Sequence, residues 1–249
     1  MQTKFIVLVT FRNVKNFIEE CYNSLAAQTY DNFEVYFVDD ESTDGCLDLI
    51  PDDEDKVHKQ RNPVRLGPTG NIANFLTTHT FAPEDVIVLL DGDDYLNGHY
   101  VFQILDRYYN GGKLLTYGQY MDQFGNIGHC TAYTEDEVNN LRQAPWKSSH
   151  LKTFKFSLWQ ELMAQDPELN ALRDATGGYY MASSDMAVMF PLIEIAGHEH
   201  IACLPNIVYV YRFHDNNDHA KPHTRQLQYD AEAHIRQRLP MQRLVSIIS

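Results

Sequence analysis

Three carboxylates follow a strongly apolar stretch in the first half of the chain. Val86–Leu90 is aliphatic throughout, and Asp91, Asp93 and Asp94 come directly after it, separated only by Gly92. An unpaired charge is unfavourable in a protein core, so the pattern predicts a buried strand that ends where the acids begin. Two carboxylates that point the same way could bind Mg²⁺ or Mn²⁺ and leave coordination positions open for phosphate oxygens. The alternative is an acidic turn that only ends a strand and solubilises a loop.

A second acidic cluster, Asp39–Glu41, follows the apolar and aromatic stretch Phe33–Val38. Lys4–Thr10 predicts an earlier buried strand, and apolar residues at helical spacing predict a helix from a cap at Asn13 to about Ala27. A strand, a helix and a strand in this order form a βαβ unit with parallel strands. Ligands bind beyond the carboxyl ends of such strands, so the two acidic clusters are expected to share one crevice.

The remaining pattern predicts an α/β chain with a mostly parallel central sheet flanked by helices. The further predicted elements are helices at Asn71–Thr78, Tyr100–Tyr109, Ser149–Met163, Asp185–Ile195 and Asp230–Arg238, strands at Leu114–Tyr120 and Ile207–Tyr211, and polar loops at Pro51–Lys59 and Thr131–Pro145.

Composition narrows the class of protein. The chain has 249 residues, of which 44% are hydrophobic, and neither a linker nor a repeat divides it, so we expect a single domain. A net charge of −14 argues against a nucleic-acid partner. The first apolar run is too short for a signal peptide or a membrane span, which predicts a soluble, cytoplasmic protein. The four cysteines form no CxxC pair and are expected to be reduced.

Three blocks of sequence carry a resemblance to a known family. They read VTFRN…CYNSLAAQTY from Val9 to Tyr30, FEVYFVDDESTDG from Phe33 to Gly45, and LLDGDDYL from Leu89 to Leu96. In order, separation and residue type they resemble the inverting glycosyltransferases of family 2, which have the GT-A fold. Weaker similarities follow at 149–159, 183–197 and 209–214.

The resemblance implies one GT-A domain over residues 1–249. Residues 1–110 would form its nucleotide-binding half, 111–214 its acceptor and catalytic half, and 215–249 a C-terminal tail with a helix. The implied reaction displaces a nucleoside diphosphate from a sugar by the hydroxyl group of a glycan, a protein or a small molecule. The implied donor is a nucleotide sugar, and a UDP-sugar is favoured.

Four residues are expected to hold the nucleoside. Asp40 would accept a hydrogen bond from the uracil N–H, and Asp91 would bind the ribose hydroxyls. Thr10 and Arg12 would line the same pocket. For Asp40 the alternative is an acid that only caps a turn.

A diphosphate-binding arginine is missing from its usual place. Family members often carry Ala-Arg-Asn before the short helix, whereas Thr69-Gly70-Asn71 stands here. Arg65 or Arg212 is therefore expected to contact the phosphates.

The chemistry is assigned to a metal site and a base. Asp93 and Asp94 are expected to bind Mn²⁺ or Mg²⁺, with His214 as a further ligand. Asp185 is the expected base for the acceptor hydroxyl, because the first turn of a helix stabilises a carboxylate anion. An ordinary first-turn acid is the alternative, and Ser184 replaces an acid that is frequent in the family.

Other functions remain open at this stage. A sugar nucleotidyltransferase would need a glycine-rich phosphate loop after the first strand, which TFRNVKN lacks. A phosphoacceptor signalling domain would carry its acid pair after the first strand, but Asp39 and Asp40 follow the second. A protein that binds nucleotide sugars with weak or no transferase activity stays possible because of Ser184 and Gly70.

Overall fold

A computed structural model describes residues 2–52, 55–215 and 222–244. Its strands and helices, in chain order, are β1 (Phe5–Phe11), α1 (Ile18–Ala26), β2 (Phe33–Asp39), β3 (Val57–Arg61), α2 (Gly67–Thr78), β4 (Val86–Asp91), β5 (Tyr95–Leu96), α3 (Val101–Asn110), β6 (Leu115–Asp122), α4 (Glu135–Asn139), β7 (Lys152–Lys155), α5 (Phe156–Gln165), α6 (Ser184–Ala196), β8 (Ile201–Tyr211) and α7 (Pro222–Gln237). The parts of the predicted C-terminal segment at 216–221 and 245–249 lie outside the described residues.

Four parallel strands, in the order β3-β2-β1-β4, form one side of the sheet. The apolar runs of β1 and β4 fit central strands that are covered on both faces, whereas the polar sequence of β3 fits the edge of the sheet. The register sets Thr10 of β1 opposite Asp91 of β4, and Phe11 opposite Asp39 of β2. The carboxyl ends of three strands are therefore level, which confirms the predicted βαβ unit.

The sheet continues from β4 through β7, β6, β8 and β5. The helix predicted from Ser149 is wrong in its first part, because Lys152–Lys155 forms β7, antiparallel to β4, and α5 begins only at Phe156. Leu151 and Phe154 are fully buried, and their spacing fits a doubly covered strand as well as a helix. Pairing with the β4 backbone decides between the two.

Helices cover both faces of the sheet. Phe5, Val7 and Val9 of β1 pack with α1 and α3, while Ile6 and Leu8 pack on the opposite face with α2, α5 and α6. Every residue of α6 from Met186 onward is buried. The core therefore fixes the position of α6, and with it the polar residues that begin this helix. The predicted α/β class is confirmed.

Three segments differ from expectation. The predicted loop Pro51–Lys59 is wrong at its end, because Val57–Arg61 forms β3 by pairing with β2. Asn13 does not cap α1; its backbone φ is 54°, and its Oδ1 accepts a hydrogen bond from the Thr43 amide at 2.8 Å. The stretch predicted as a loop from Thr131 contains α4, which a capping box between Thr134 and Glu137 begins.

The segment after α4 is tied to the core by an ion pair. Arg142 and Glu194 are both about 5% exposed at their side chains and pair bidentately. Arg142 Nη1 also donates to the Ile235 carbonyl of α7 at 2.8 Å. Within the described residues all four cysteines are free, and no helix has the length and apolarity needed to cross a bilayer.

Candidate active site

A cleft of about 690 Å³ opens at the carboxyl ends of β1, β2 and β4. The amide of Asp40 donates to the Phe11 carbonyl at 2.8 Å, and the amide of Gly92 donates to the Thr10 carbonyl at 3.1 Å. Both acidic clusters are thereby fastened to the end of β1. The cleft is lined by most of the residues singled out from the sequence, namely Thr10, Arg12, Asp40, Arg65, Asp91, Asp93, Asp94 and Asp185.

The side chain of Asp40 caps the N-terminus of α2. Its Oδ1 accepts from the Leu66 amide at 2.7 Å and its Oδ2 from the Gly67 amide at 3.0 Å, at the start of α2. A buried carboxylate is stable there because it meets unpaired amides and the positive end of the helix dipole. Each oxygen keeps a second lone pair, so contact with a nucleobase remains compatible with the capping role.

Arg12 and Arg65 are exposed on the wall of the cleft. Neither guanidinium forms an ion pair with a carboxylate among the described residues. Both are therefore available to an anionic ligand such as a diphosphate.

Asp91 shares the cleft floor with a histidine. Its Oδ2 lies 3.5 Å from Nε2 of His150 and 3.5 Å from the hydroxyl of Tyr209. The His150 ring stacks on the Tyr209 ring with centroids 4.6 Å apart. The stack holds the imidazole between the end of β4 and the start of α6.

Asp94, the second acid predicted to bind the metal, is buried at the end of the acidic motif. It is 1% exposed, and its Oδ2 accepts from the Tyr209 hydroxyl at 2.6 Å while its Oδ1 accepts from the Arg212 amide at 2.7 Å. Burial raises the pKa of Asp94, and the charges of Asp93 and Asp91 raise it further. Each oxygen accepts from one protein donor, so Asp94 ties the acidic motif to β8.

Tyr209→Phe tests this tie. Removing the hydroxyl leaves a buried Asp94 oxygen without its donor, and we expect the free energy of unfolding to fall by about 1–3 kcal/mol. Urea denaturation in EDTA measures the change. Tyr229→Phe is the matched control, because Tyr229 is 62% exposed. An unchanged midpoint for Tyr209→Phe would contradict the tie.

Asp93 and His214 form the remaining candidate metal site. Asp93 Oδ2 lies 2.9 Å from His214 Nε2, and the imidazole stacks on Phe17 at 4.5 Å. Among the described residues, neither Asp91 nor Asp93 pairs with a lysine or an arginine, and no three acidic, histidine or cysteine side chains converge on one point. One carboxylate and one imidazole beside uncompensated negative charge fit Mn²⁺ or Mg²⁺, with the other positions open to phosphate oxygens.

Arg212 does not reach the cleft. Its Nη2 donates to Glu20 Oε2 at 2.6 Å, and its guanidinium lies 4.8 Å from the ring centre of Phe17 and 5.2 Å from that of Tyr95. This arrangement fastens β8 to α1 and differs from the predicted contact with phosphates. Of the two arginines proposed for that contact, Arg65 is the one that lines the cleft.

Asp185 lies in the first turn of α6 with a side chain that is 40% exposed. Lys152 Nζ donates to its Oδ1, and Oδ2 lies 3.9 Å from His150 Nε2. Desolvation alone would raise the pKa of Asp185, but the charges of Lys152 and His150 outweigh it and lower that pKa below its usual value. The carboxylate is therefore ionised at neutral pH and able to accept a hydrogen bond.

Sequence reasoning missed His150 and Lys152. Both lie in the stretch that was predicted as a helix, where they would not share a face. No local pattern marks them, because Lys152 begins β7 and His150 lies in the bend before it, and the pairing of β7 with β4 fixes their place.

The profile of glycosyl transferase family 2 matches residues 6–167 of the chain. An uncharacterized glycosyltransferase of Nostoc sp. is 27% identical over 103 residues, which are 41% of this chain and 32% of that protein. The poly(ribitol-phosphate) beta-N-acetylglucosaminyltransferase TarS of Staphylococcus aureus is 33% identical over 98 residues, 38% of this chain and 17% of that protein. The chain thus spans a third or less of the length of these relatives.

Solved structures share the fold. S. aureus TarS 1–349 in complex with UDP superposes with a TM-score of 0.60 at 18% identity, covering 86% of this chain and 61% of that one. The mannosyltransferase PcManGT of Pyrobaculum calidifontis, in complex with GDP-Man and Mn²⁺, superposes with a TM-score of 0.61 at 18% identity, covering 96% and 66%. At these identities the likeness establishes the GT-A fold.

Proposed function

The chain belongs to glycosyl transferase family 2, and we propose that it transfers a sugar, with inversion, from a UDP-sugar to an acceptor hydroxyl. The observation that carries this proposal is the cleft itself. It gathers Asp40, Asp91, Asp93 and Asp185, which are far apart in the sequence, at one edge of the sheet. Family membership also argues against the nucleotidyltransferase and signalling alternatives.

The donor is proposed to lie along the ends of β1, β2 and β4. Asp40 and Thr10 would contact the base, Asp91 the ribose, and Arg12 and Arg65 the diphosphate. UDP is chosen because a carboxylate accepts the uracil N–H, and because TarS, whose fold this chain shares, has been solved with UDP and with UDP-GlcNAc.

The transfer needs a single displacement. The acceptor oxygen forms a bond to the anomeric carbon, the bond from that carbon to the phosphate oxygen breaks, and UDP leaves with the electron pair. Asp185 Oδ2 takes the hydroxyl proton. A Mn²⁺ or Mg²⁺ ion bound by Asp93 and His214 would supply charge neutralisation to the departing diphosphate.

We further propose that residues 1–249 act as one domain. The donor residues come from the part up to residue 110, while His150 and Asp185 come from the following part. Gln228 and Glu232 of α7 line the same cleft, beside Trp146. The acceptor, whether a glycan, a protein or a small molecule, would enter between α6 and α7.

Calorimetry with UDP tests the donor assignment. We expect UDP with Mn²⁺ to bind at least about tenfold more tightly than UDP in EDTA, because a cation held by Asp93 would neutralise the charge of the diphosphate. GDP and ADP titrated under the same conditions are the controls. Equal affinity with and without the cation would contradict metal-dependent binding. Tighter binding of GDP than of UDP would indicate a GDP-sugar as the donor. A panel of nucleotide sugars, assayed for hydrolysis, then identifies the donor sugar.

A further inference from the structure

Lys152 is a buried lysine with one charged partner. Its side chain is 3% exposed, in β7 at the position opposite Leu89 of β4. Its ammonium donates to Asp185 Oδ1, and among the described residues no other acceptor contacts it. A buried ammonium is costly unless it is paired, so this side chain has one stable position, against Asp185.

The other charged and titratable groups around Asp185 come from several elements. His150 precedes β7, His129 follows β6, Tyr211 ends β8, Asp91 ends β4 and Glu232 belongs to α7. Asp91 and Glu232 are acids on the same cleft wall, and like charges favour protonation of a neighbouring carboxyl. Lys152 is the cation in direct hydrogen-bond contact with Asp185.

We propose that Lys152 is a positioning residue that fixes Oδ1 of Asp185, turns Oδ2 toward the acceptor hydroxyl, and keeps the carboxylate ionised in an acid-rich cleft. The inference rests on the proposed function, because it assumes that Asp185 is the base. The lowered pKa of Asp185, to which Lys152 is the leading charge contribution, agrees with this role.

The role has a consequence for pH dependence. Transfer requires ionised Asp185, so rate falls as pH drops through the pKa of that group. Removing the charge of Lys152 raises this pKa, and the acid limb of the kcat/KM profile moves to higher pH. A side chain that served only to fill space would lower activity by the same factor at every pH.

The experiment compares K152M, K152R and wild type. We expect K152M to lose at least about tenfold in kcat/KM at about pH 5 and to recover most of it at about pH 8, with the acid limb displaced upward by at least about two pH units. K152R keeps a cation and is expected to restore the wild-type limb. Ionisable groups that all variants share contribute equally to every profile and cancel in the comparison.

K155M is the matched control. Lys155 ends the same strand and pairs with Glu84, whose side chain is 77% exposed, and it does not line the cleft. Its profile should follow the wild type. If K152M keeps the wild-type acid limb while it binds UDP normally, the role of Lys152 is overturned.

A second measurement guards against misfolding. If K152M does not fold, K152Q keeps a polar group on the buried stem and is assayed in the same way. Carboxyl ¹³C NMR gives the pKa of Asp185 in that variant without any activity, and an unchanged pKa would overturn the proposal. Failure of UDP to bind the wild type, or normal transfer by Asp185→Asn, would instead count against the proposed function.

Discussion

Asp185→Asn is expected to reduce sugar transfer by about 10³-fold while leaving UDP affinity unchanged. Asparagine keeps the size of the side chain, and its carbonyl can still accept from Lys152, so the start of α6 should stay in place. It cannot take the proton of an acceptor hydroxyl. The loss therefore falls on kcat, and the KM for the donor should hardly move.

The matched control is an Asp→Asn substitution in the first turn of another helix. Asp136 is an exposed acid in the first turn of α4 and does not line the cleft. Asp136→Asn should transfer sugar at the wild-type rate. If Asp185→Asn came within about tenfold of wild type, the base would have to be another group. Steady-state rates and UDP calorimetry are measured on the same preparations. Together they show whether Asp185→Asn loses the base or loses donor binding.

The donor half of the fold could be predicted because its signals are local. β1 and β4 are nearly continuous apolar runs, as parallel strands with two covered faces must be, and β2 is apolar and aromatic apart from Glu34. The acids that end β2 and β4 cannot continue into the core, so Asp40 and Asp91 mark the ends of their strands. Because the strands are parallel, their carboxyl ends lie at the same edge of the sheet, and this could be predicted without any further signal in the sequence.

The catalytic half could not be predicted equally well, because non-local contacts decide it. β7 exists because the β4 edge pairs with it, and nothing within residues 149–155 distinguishes that strand from a helix. Arg212 turns toward Glu20, which lies far away in the sequence, and Asp94 turns toward Tyr209. Residue type shows that such side chains can bind an ion or a phosphate. It does not show which side chain of the folded protein they pair with instead.

Charge balance links the two halves. A chain of net charge −14 concentrates Asp91, Asp93, Asp94 and Asp185 around one cleft. Lys152 compensates Asp185, and Tyr209 with the Arg212 amide holds Asp94. Asp93 is left with His214, an imidazole that carries full charge only when protonated. Among the described residues, Asp93 and Asp91 thus have only histidines as basic partners, and we expect loss of the Asp93 carboxylate to weaken metal-dependent donor binding.

Asp93→Ala is accordingly expected to abolish the gain in UDP affinity that Mn²⁺ provides, a loss of at least about tenfold. Affinity in EDTA should equal that of wild type in EDTA, because the residues proposed to contact the base and ribose are untouched. Calorimetry of both proteins with and without Mn²⁺ gives the four values. Asp31→Ala, at an exposed acid that does not line the cleft, should keep the wild-type response.

The four values distinguish a metal ligand from a merely structural acid. If Asp93 only held His214 in place, its removal would weaken UDP binding equally with and without the cation. If it binds the cation, the two losses differ, and only the Mn²⁺-dependent term disappears. An undiminished response to Mn²⁺ in Asp93→Ala would remove the metal from this end of β4, and with it the proposed means of neutralising the departing diphosphate.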